Sequence, residues 1–204
     1  MSALNLGDAA ALAQAAAQGV LPNGLAMNQG VLDRLLKGNA GPGIPAVETL
    51  VLNARDSVNV FGSVTLDTTG GKGVGRLVLG APAIYGYGGA GDTAVIRSRD
   101  LVWTGISARP ATQTGEYDPS MPGAAIADRL GDGRLQLAAE RIVFGYGPES
   151  QPLNWLSADR LALGFTGVDL LGSASVGANS ARSRPIIARA RMKQARATPT
   201  AVAT

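Results

Sequence analysis

The sequence predicts an all-β fold, a parallel β-helix (β-solenoid) of about six rungs, with short N-terminal helices and a disordered C-terminal tail. Three observations predict it. Residues 46–180 contain an imperfect internal repeat, in which short runs of Val, Leu and Ile alternate with small or polar residues and end at Gly. Gly accounts for 28 of 204 residues, which suits many tight turns. Aromatic residues are only 4%, which suits the narrow core of a stacked coil.

Residues 1–45 are predicted to form a helical and loop segment that serves as a cap or an insertion. Both helices begin at a residue whose side chain accepts a hydrogen bond from the first turn, and both end at Gly. Their bounds and caps are residues 9–18 with Asp8 and Gly19, and residues 29–37 with Asn28 and Gly38. Helices this short depend on packing against another part of the fold.

The repeat in residues 46–180 supplies the predicted rungs. Six copies are assigned, at residues 50–62, 77–88, 95–105, 135–147, 156–164 and 168–177. Each has a small residue where the backbone turns a corner, namely Ala54, Ala81, Ser98, Ala139, Ala158 and Ser173. The steps between these residues are 27, 17, 41, 19 and 15. The two longest contain a loop at 67–75 and an insertion at 107–131, as expected for loops on a solenoid.

Charge separates the C-terminal tail from the rest of the chain. Residues 1–181 carry 12 basic and 15 acidic groups, whereas residues 182–204 carry six basic groups and no acidic one. The segment 181–204 is therefore predicted to be a disordered, Arg-rich tail. The body is not basic, so nucleic-acid binding is not expected. No transmembrane span is predicted either, because the uncharged stretch at residues 9–32 contains too many Gln, Asn and Pro residues.

Composition excludes several kinds of chemistry. Cys and His are both absent, which removes thiolate nucleophiles, His-based triads and the usual zinc sites. Residues 69–75 lack the Gly-Lys-Ser/Thr that a phosphate loop requires. Residues 88–92 resemble part of a calcium-binding nonapeptide, but Asp92 comes one residue early and the motif occurs once. We expect no cofactor, no metal and no enzymatic activity.

Two features leave alternatives open. The insertion 107–131 and its flank carry four carboxylates, so a carbohydrate-active enzyme is the alternative function; they are Glu116, Asp118, Asp128 and Asp132. Adjacent opposite charges recur beside the small corner residues, either as solvated corners or as a ladder that binds a ligand; they are Arg55-Asp56, Arg99-Asp100, Glu140-Arg141 and Asp159-Arg160.

Four tyrosines are the candidate binding residues: Tyr85, Tyr87, Tyr117 and Tyr146. The first two lie in Tyr-Gly-Tyr-Gly and the last in Phe-Gly-Tyr-Gly. Such rings either stack on one another against the coil or form an exposed platform for a sugar, because amphipathic rings favour both environments. Carbohydrate binding is therefore part of the alternative function.

Several stretches resemble the filamentous haemagglutinin family of exoproteins, large adhesins exported by two-partner secretion. They are Val47 to Ser63, Leu79 to Gly89, Ala139 to Pro148, Leu32 to Leu36 and Ile44 to Glu48. The similarity extends over about residues 5–178, a segment of the passenger downstream of the secretion domain. It implies a right-handed β-helix and a non-catalytic structural rod segment of a secreted or cell-surface adhesin. It implies no functional residues.

The resemblance also implies partners and a location. The partners are an outer-membrane two-partner secretion transporter and host-cell or glycan surfaces. The chain shows no signal peptide, so we expect a fragment that, by itself, would remain cytoplasmic. If the coil stops near Gly177, its last rung exposes unpaired backbone groups, and self-association is expected.

Overall fold

A computed structural model describes residues 3–37, 48–70, 75–104, 130–145, 160–178, 185–187 and 190–192. The fold is mostly β, with two short helices. The elements, in chain order, are β1 (Ala3–Gly7), α1 (Ala9–Ala17), β2 (Gly24–Asn28), α2 (Gln29–Lys37), β3 (Thr49–Asn53), β4 (Ser57–Phe61), β5 (Val64–Asp67), β6 (Arg76–Gly80), β7 (Ala83–Gly86), β8 (Thr93–Trp103), β9 (Gly133–Phe144), β10 (Arg160–Leu163), β11 (Phe165–Ala178), β12 (Pro185–Ile187) and β13 (Ala190–Met192).

The strands form two sheets, and every pairing between them is parallel. Sheet A has the order β12-β10-β7-β4-β1-β2. Sheet B has the order β13-β11-β9-β8-β6-β3, with β5 paired to the first half of β8. From β3 onward the chain passes repeatedly from one sheet to the other. Parallel strands need such crossovers, because a tight hairpin can join only antiparallel strands.

Apolar residues at matching register form the core. In sheet B one such column consists of Leu66, Ile96, Leu137 and Leu170. In sheet A another consists of Leu4, Val58, Ile84 and Ala162. All eight are buried and belong to a single hydrophobic cluster. Neighbouring strands lie close enough for each side chain to pack on the equivalent one in the next strand, so the two sheets share one core.

The predicted repeat is right at two steps and wrong at the others. Leu50 pairs with Leu77 and Ser98 pairs with Ala139, which confirms the steps of 27 and 41. The step of 17 from Ala81 to Ser98 is wrong, because Leu77 pairs with Leu101 at an offset of 24. Ala81 lies at a corner between two strands, whereas Ser98 lies inside β8. The sequence pattern equates two different points of the chain path, because both require a small buried residue. The last two steps fail because the sixth copy pairs directly with the fourth, Val168 with Leu135, while β10 of the fifth copy lies in sheet A.

The N-terminal segment contains both predicted helices and two strands that were missed. Asp8 caps α1 through a 2.7 Å hydrogen bond from the Ala11 amide, and the Asn28 side chain accepts from Val31 at the start of α2. β1 and β2 correct the prediction that residues 1–45 are only helix and loop. They contain no β-branched residue; pairing within sheet A, of β1 with β4 and of β2 with β1, rather than local preference, makes them strands.

α2 covers one end of the core. Leu32 and Leu36 belong to the main hydrophobic cluster. The Gln29 side chain accepts a hydrogen bond from the Thr65 amide at 2.9 Å and donates one to the Thr65 carbonyl at 2.8 Å. The Gln29 side chain therefore takes the place of a neighbouring strand along β5 and pairs with the backbone N–H and C=O of Thr65, as covering groups do at the edge of a sheet. These contacts give α2 the role of a cap.

The C-terminal part requires one correction. β12 and β13 lie within residues 181–204, so the prediction of disorder is wrong for these six residues. They pair with β10 and β11 respectively, which carries strand pairing beyond Gly177. The rest of this segment, and residues 107–129 of the insertion, lie outside the described residues. The predicted division of the chain near residues 45 and 180 stays a prediction.

Candidate functional site

The four candidate tyrosines have different positions. Tyr85 is in β7 and only 1% exposed, so it cannot belong to an exposed platform. Tyr87 follows the end of β7 and is half-buried. Tyr117 and Tyr146 lie outside the described residues. Tyr87 is the candidate whose ring contributes to a surface hollow.

Tyr87 stacks against Phe61. The ring centroids are 4.5 Å apart and the planes differ by 9°. Phe61 ends β4 and is buried, and the Tyr87 amide donates a 2.8 Å hydrogen bond to the Val60 carbonyl. The buried ring below and the backbone hydrogen bond together fix the Tyr87 ring at the surface of sheet A.

A groove of about 600 Å³ lies beside this aromatic pair. We call it the α1 groove. It is lined by α1 and its C-cap, by one residue of the segment that joins α1 to β2, and by residues at or just after the ends of β4 and β7. The lining residues are Ala11, Gln14, Ala15, Gln18, Val20, Phe61, Gly62 and Tyr87. Its size is within the range of small-molecule sites. All of these side chains are uncharged.

Local sequence features place α1 beside the aromatic pair. Leu12 and Ala15 pack with Phe61 in a small second hydrophobic cluster. Gly62 has φ +74°, a conformation that L side chains rarely adopt, and an added Cβ would lie 3.0 Å from the Asp8 carboxylate. The helix can therefore approach the turn after β4 closely. Gly19, with φ +67°, ends the helix, and the chain then returns along the groove at Val20.

Partial burial affects the electrostatics of Tyr87. Removing part of its hydroxyl from water disfavours the phenolate, so the pKa of Tyr87 is raised above its ordinary value of 10.0. The ring is therefore neutral at physiological pH. The α1 groove presents an aromatic ring, amide groups and a neutral phenol.

Sheet B carries a different, charged hollow of about 510 Å³. Its lining includes Thr68, Arg97, Arg99 and Glu140. Arg97 contacts Asp67 at 3.3 Å. The two arginines lie near the carboxylates of Asp67 and Glu140. The hollow therefore presents charges of both signs to a ligand.

The recurring pairs of adjacent opposite charges make different contacts. Arg55 contacts its sequence neighbour Asp56 at 2.9 Å. The Arg99-Asp100 and Glu140-Arg141 sequences instead form a contact between strands, because Asp100 and Arg141 are register partners whose side chains meet at 3.1 Å. Asp159 lies outside the described residues.

Sequence reasoning missed another contact between strands. Arg134 contacts Asp169 at 2.7 Å. Both partners are solvent-exposed to some degree, 50% and 22% of their side-chain surface respectively. Within the described residues, three ion pairs therefore join neighbouring strands of sheet B on its solvent side: Arg97 with Asp67, Arg134 with Asp169, and Arg141 with Asp100. Their exposure favours solvated charges over a ladder that binds a ligand.

The glycine motifs are parts of turns. The Asp92 carboxylate accepts hydrogen bonds from the Ser63 hydroxyl and the Gly89 amide, both at 2.8 Å. Residues 71–74 of the predicted loop lie outside the described residues. Across the part of the chain that the structure describes, acidic residues form no cluster of metal-ligand size. Within the same ranges, no helix has the length and apolar composition that crossing a membrane requires.

No family model, no curated protein and no solved structure matches this chain. The site therefore has to be interpreted from its own chemistry.

Proposed function

We propose that the chain is a structural rod segment of a secreted or cell-surface adhesin and that it has no catalytic role. In this proposal the two sheets are faces of one right-handed parallel β-helix. The observation that carries the proposal is the register of the strands, in which equivalent apolar residues of successive passes through a sheet pair with one another.

The path of the chain supports a coil. From β3 to β13 each return to sheet B comes after a strand of sheet A, except where β5 is followed by β6 and where the insertion joins β8 to β9. A parallel crossover connection within one sheet is right-handed in about 98% of cases. Successive right-handed crossovers in the same direction generate a right-handed solenoid.

The arrangement of the core supports a scaffold role. Each strand contacts mainly its neighbours in the sheet, and the columns of Leu, Ile and Val continue from strand to strand. Stability in such a fold is approximately a sum over neighbouring units, so it can extend along one axis without a larger core. α2 covers the other end, and the strand-like contact of Gln29 with Thr65 stops pairing there.

The proposed partners follow from the resemblance of residues 5–178 to filamentous haemagglutinin-family exoproteins. They are an outer-membrane two-partner secretion transporter and the host or glycan surfaces that such adhesins contact. A β-helix suits this export, because rungs can fold one after another on the first rung outside the cell.

Export by a two-partner system tests this proposal. The full chain would be fused behind a two-partner secretion domain and expressed with the matching outer-membrane transporter. We expect a protease-resistant product at the cell surface. The control is Leu101→Asp, which places a charge at a fully buried position and should leave an exported but protease-sensitive chain. Retention of the fusion while the secretion domain alone is exported would overturn the proposal.

Self-association is proposed from a different feature from the one predicted. β3 is an edge strand of sheet B, and its Val51 side chain is 51% exposed. Exposed apolar edge strands pair readily with other chains. We expect sedimentation velocity to show concentration-dependent association that Val51→Lys reduces. Val31→Lys, a matched change at an exposed position on α2, should not reduce it. A monomer at all concentrations would contradict this proposal.

A further inference from the structure

We propose that the α1 groove binds a neutral saccharide. This goes beyond the scaffold role, and it depends on the described geometry of α1, β4 and Tyr87 rather than on export or adhesion. The same groove would be a binding site whether or not the chain forms part of an adhesin.

The aromatic pair supplies the surface for stacking. Tyr87 lies flat against Phe61, with 4.5 Å between the ring centroids and 9° between the planes. A sugar ring has an apolar face of C–H groups, and that face packs on a fixed aromatic ring with little loss of conformational entropy. Because Phe61 is buried, the part of the pair that a sugar can reach is the Tyr87 ring.

Two amides lie within reach of the hydroxyl groups of such a ligand. Gln14 lies in α1 and Gln18, four residues later, is the C-cap of that helix. Residues with this spacing are neighbours on a helix surface, and both glutamines are exposed and line the groove. An amide offers two donor hydrogens and one acceptor oxygen, which matches hydroxyl groups that both donate and accept. In the described part of the chain neither amide side chain is engaged in a hydrogen bond or an ion pair.

The charge of the groove selects among saccharides. Every lining residue is neutral. Asp8 lies close by, with its carboxylate directed towards the turn at Gly62 and bonded to the Ala11 amide. A sialic acid, uronic acid or sulfated sugar would bring a second negative charge near Asp8, and none of the described lining residues is a cation that could balance it. A neutral hexose brings no such cost.

The walls of the groove are held before any ligand arrives. Asp8 caps α1, and Leu12 and Ala15 fix the helix on Phe61. The Tyr87 backbone is bonded to Val60. Binding therefore requires little ordering of the protein, which favours affinity for a small ligand.

The test is saturation-transfer-difference NMR and titration calorimetry on the full chain. The probes are neutral trisaccharides of glucose, galactose and mannose, with sialylated and sulfated trisaccharides and a polyproline peptide for comparison. We expect one or more neutral trisaccharides to bind and the charged ones to bind at least tenfold more weakly. Contacts in the NMR spectrum should involve the C–H face of the sugar and tyrosine ring protons.

Variants locate the site. Tyr87→Ala should weaken binding about tenfold because it removes the stacking surface, whereas Tyr87→Phe should retain most of the affinity. Gln14→Ala and Gln18→Ala should each weaken binding severalfold. Gln136→Ala, which changes a glutamine of sheet B outside the groove, is the matched control and should bind like the unmodified chain.

Three results would overturn the inference. They are no binding of any neutral trisaccharide to the folded chain, binding that Gln14→Ala, Gln18→Ala and Tyr87→Ala all leave unchanged, and preferential binding of the polyproline peptide, which would make the groove a peptide site. A cooperative thermal melt of each variant shows that it is folded. If a chain melts cooperatively but binds no sugar, the result counts against the groove as a saccharide site and not against the fold.

Discussion

The polar residues on the outer faces of the two sheets differ in burial and in charge. On sheet A, α1 and the loop after it cover β1 and β4, and the polar residues there are buried. Asn59 donates to the Asn5 side chain at 2.8 Å, and Asn5 donates to the Pro22 carbonyl at 2.8 Å. Both asparagines are fully buried. On sheet B the polar residues are charged, and pairs such as Arg134 with Asp169 face solvent.

The difference shows that polar contacts between parallel strands contribute unequally to stability, although the strands pair in the same way on both sheets. Parallel strands in register place equivalent residues beside one another on either sheet. On sheet A each buried amide must find its partner, because an unpaired one costs about 1–3 kcal/mol; a shift of register would break the Asn5–Asn59 contact. On sheet B water can replace a lost partner, so the pairs contribute about 0–1 kcal/mol each. Register is therefore specified mainly by the core and by sheet A.

The largest expected effect tests whether the two sheets share one core. Leu4→Ala on sheet A and Leu101→Ala on sheet B remove side chains that are 1% and 0% exposed and belong to the same cluster. Each should lower the free energy of unfolding by about 2–5 kcal/mol, measured by chemical denaturation. A near-zero effect of Leu4→Ala with a full effect of Leu101→Ala would show that β1 unfolds separately.

The next effect concerns the buried asparagines. Asn59→Ala removes the donor to Asn5 and should lower the free energy of unfolding by about 1–3 kcal/mol, because it leaves a buried amide oxygen without that partner. The double variant Asn5→Ala/Asn59→Ala should cost less than the sum of the two single variants, since they act on one contact. Additive effects in denaturant titrations would mean that the contact carries no coupling.

A smaller effect is expected on the solvent side of sheet B. Asp169→Asn removes the charge that Arg134 contacts at 2.7 Å, yet the free energy of unfolding should change by less than about 1 kcal/mol. Added salt should reduce even this difference, because it screens exposed charges. A cost as large as that of Asn59→Ala, measured under the same conditions, would remove the contrast between the two faces.

The smallest effect appears only at high pH. Because burial raises the pKa of Tyr87 above 10.0, the unfolded chain loses this proton at a lower pH than the folded chain does. Stability should therefore fall as the pH rises above about 10, and Tyr87→Phe should make the fall smaller. Thermal melts between neutral and high pH measure this loss of stability. The same dependence of melting temperature on pH in the unmodified chain and in Tyr87→Phe would contradict the prediction.

The candidate site shows what a sequence pattern can and cannot predict about an interaction surface. Tyr-Gly-Tyr-Gly drew attention to Tyr85 and Tyr87, but whether a ring is buried depends on what covers the strand. Tyr85 is buried and Tyr87 lies at the surface, although only one residue separates them. Strict alternation along a strand would place both rings on the same face, and they differ because Tyr87 lies beyond the end of β7. Nothing in the sequence indicated that α1 would lie beside Phe61.

The sequence by itself determined the local elements and the kind of core. Asp8, Gly19 and Asn28 set the bounds of the helices through hydrogen bonds and backbone conformations that extend over a few residues. Alternating Val, Leu and Ile determined that strands would form. Only the tertiary structure decided that Ala3–Gly7 and Gly24–Asn28 would be strands, that Leu77 would pair with Leu101 rather than 17 residues along, and that a groove would lie beside Tyr87. Short-range hydrogen bonds can be recognised from neighbouring residues, whereas register and covered surfaces depend on which distant strands share the core.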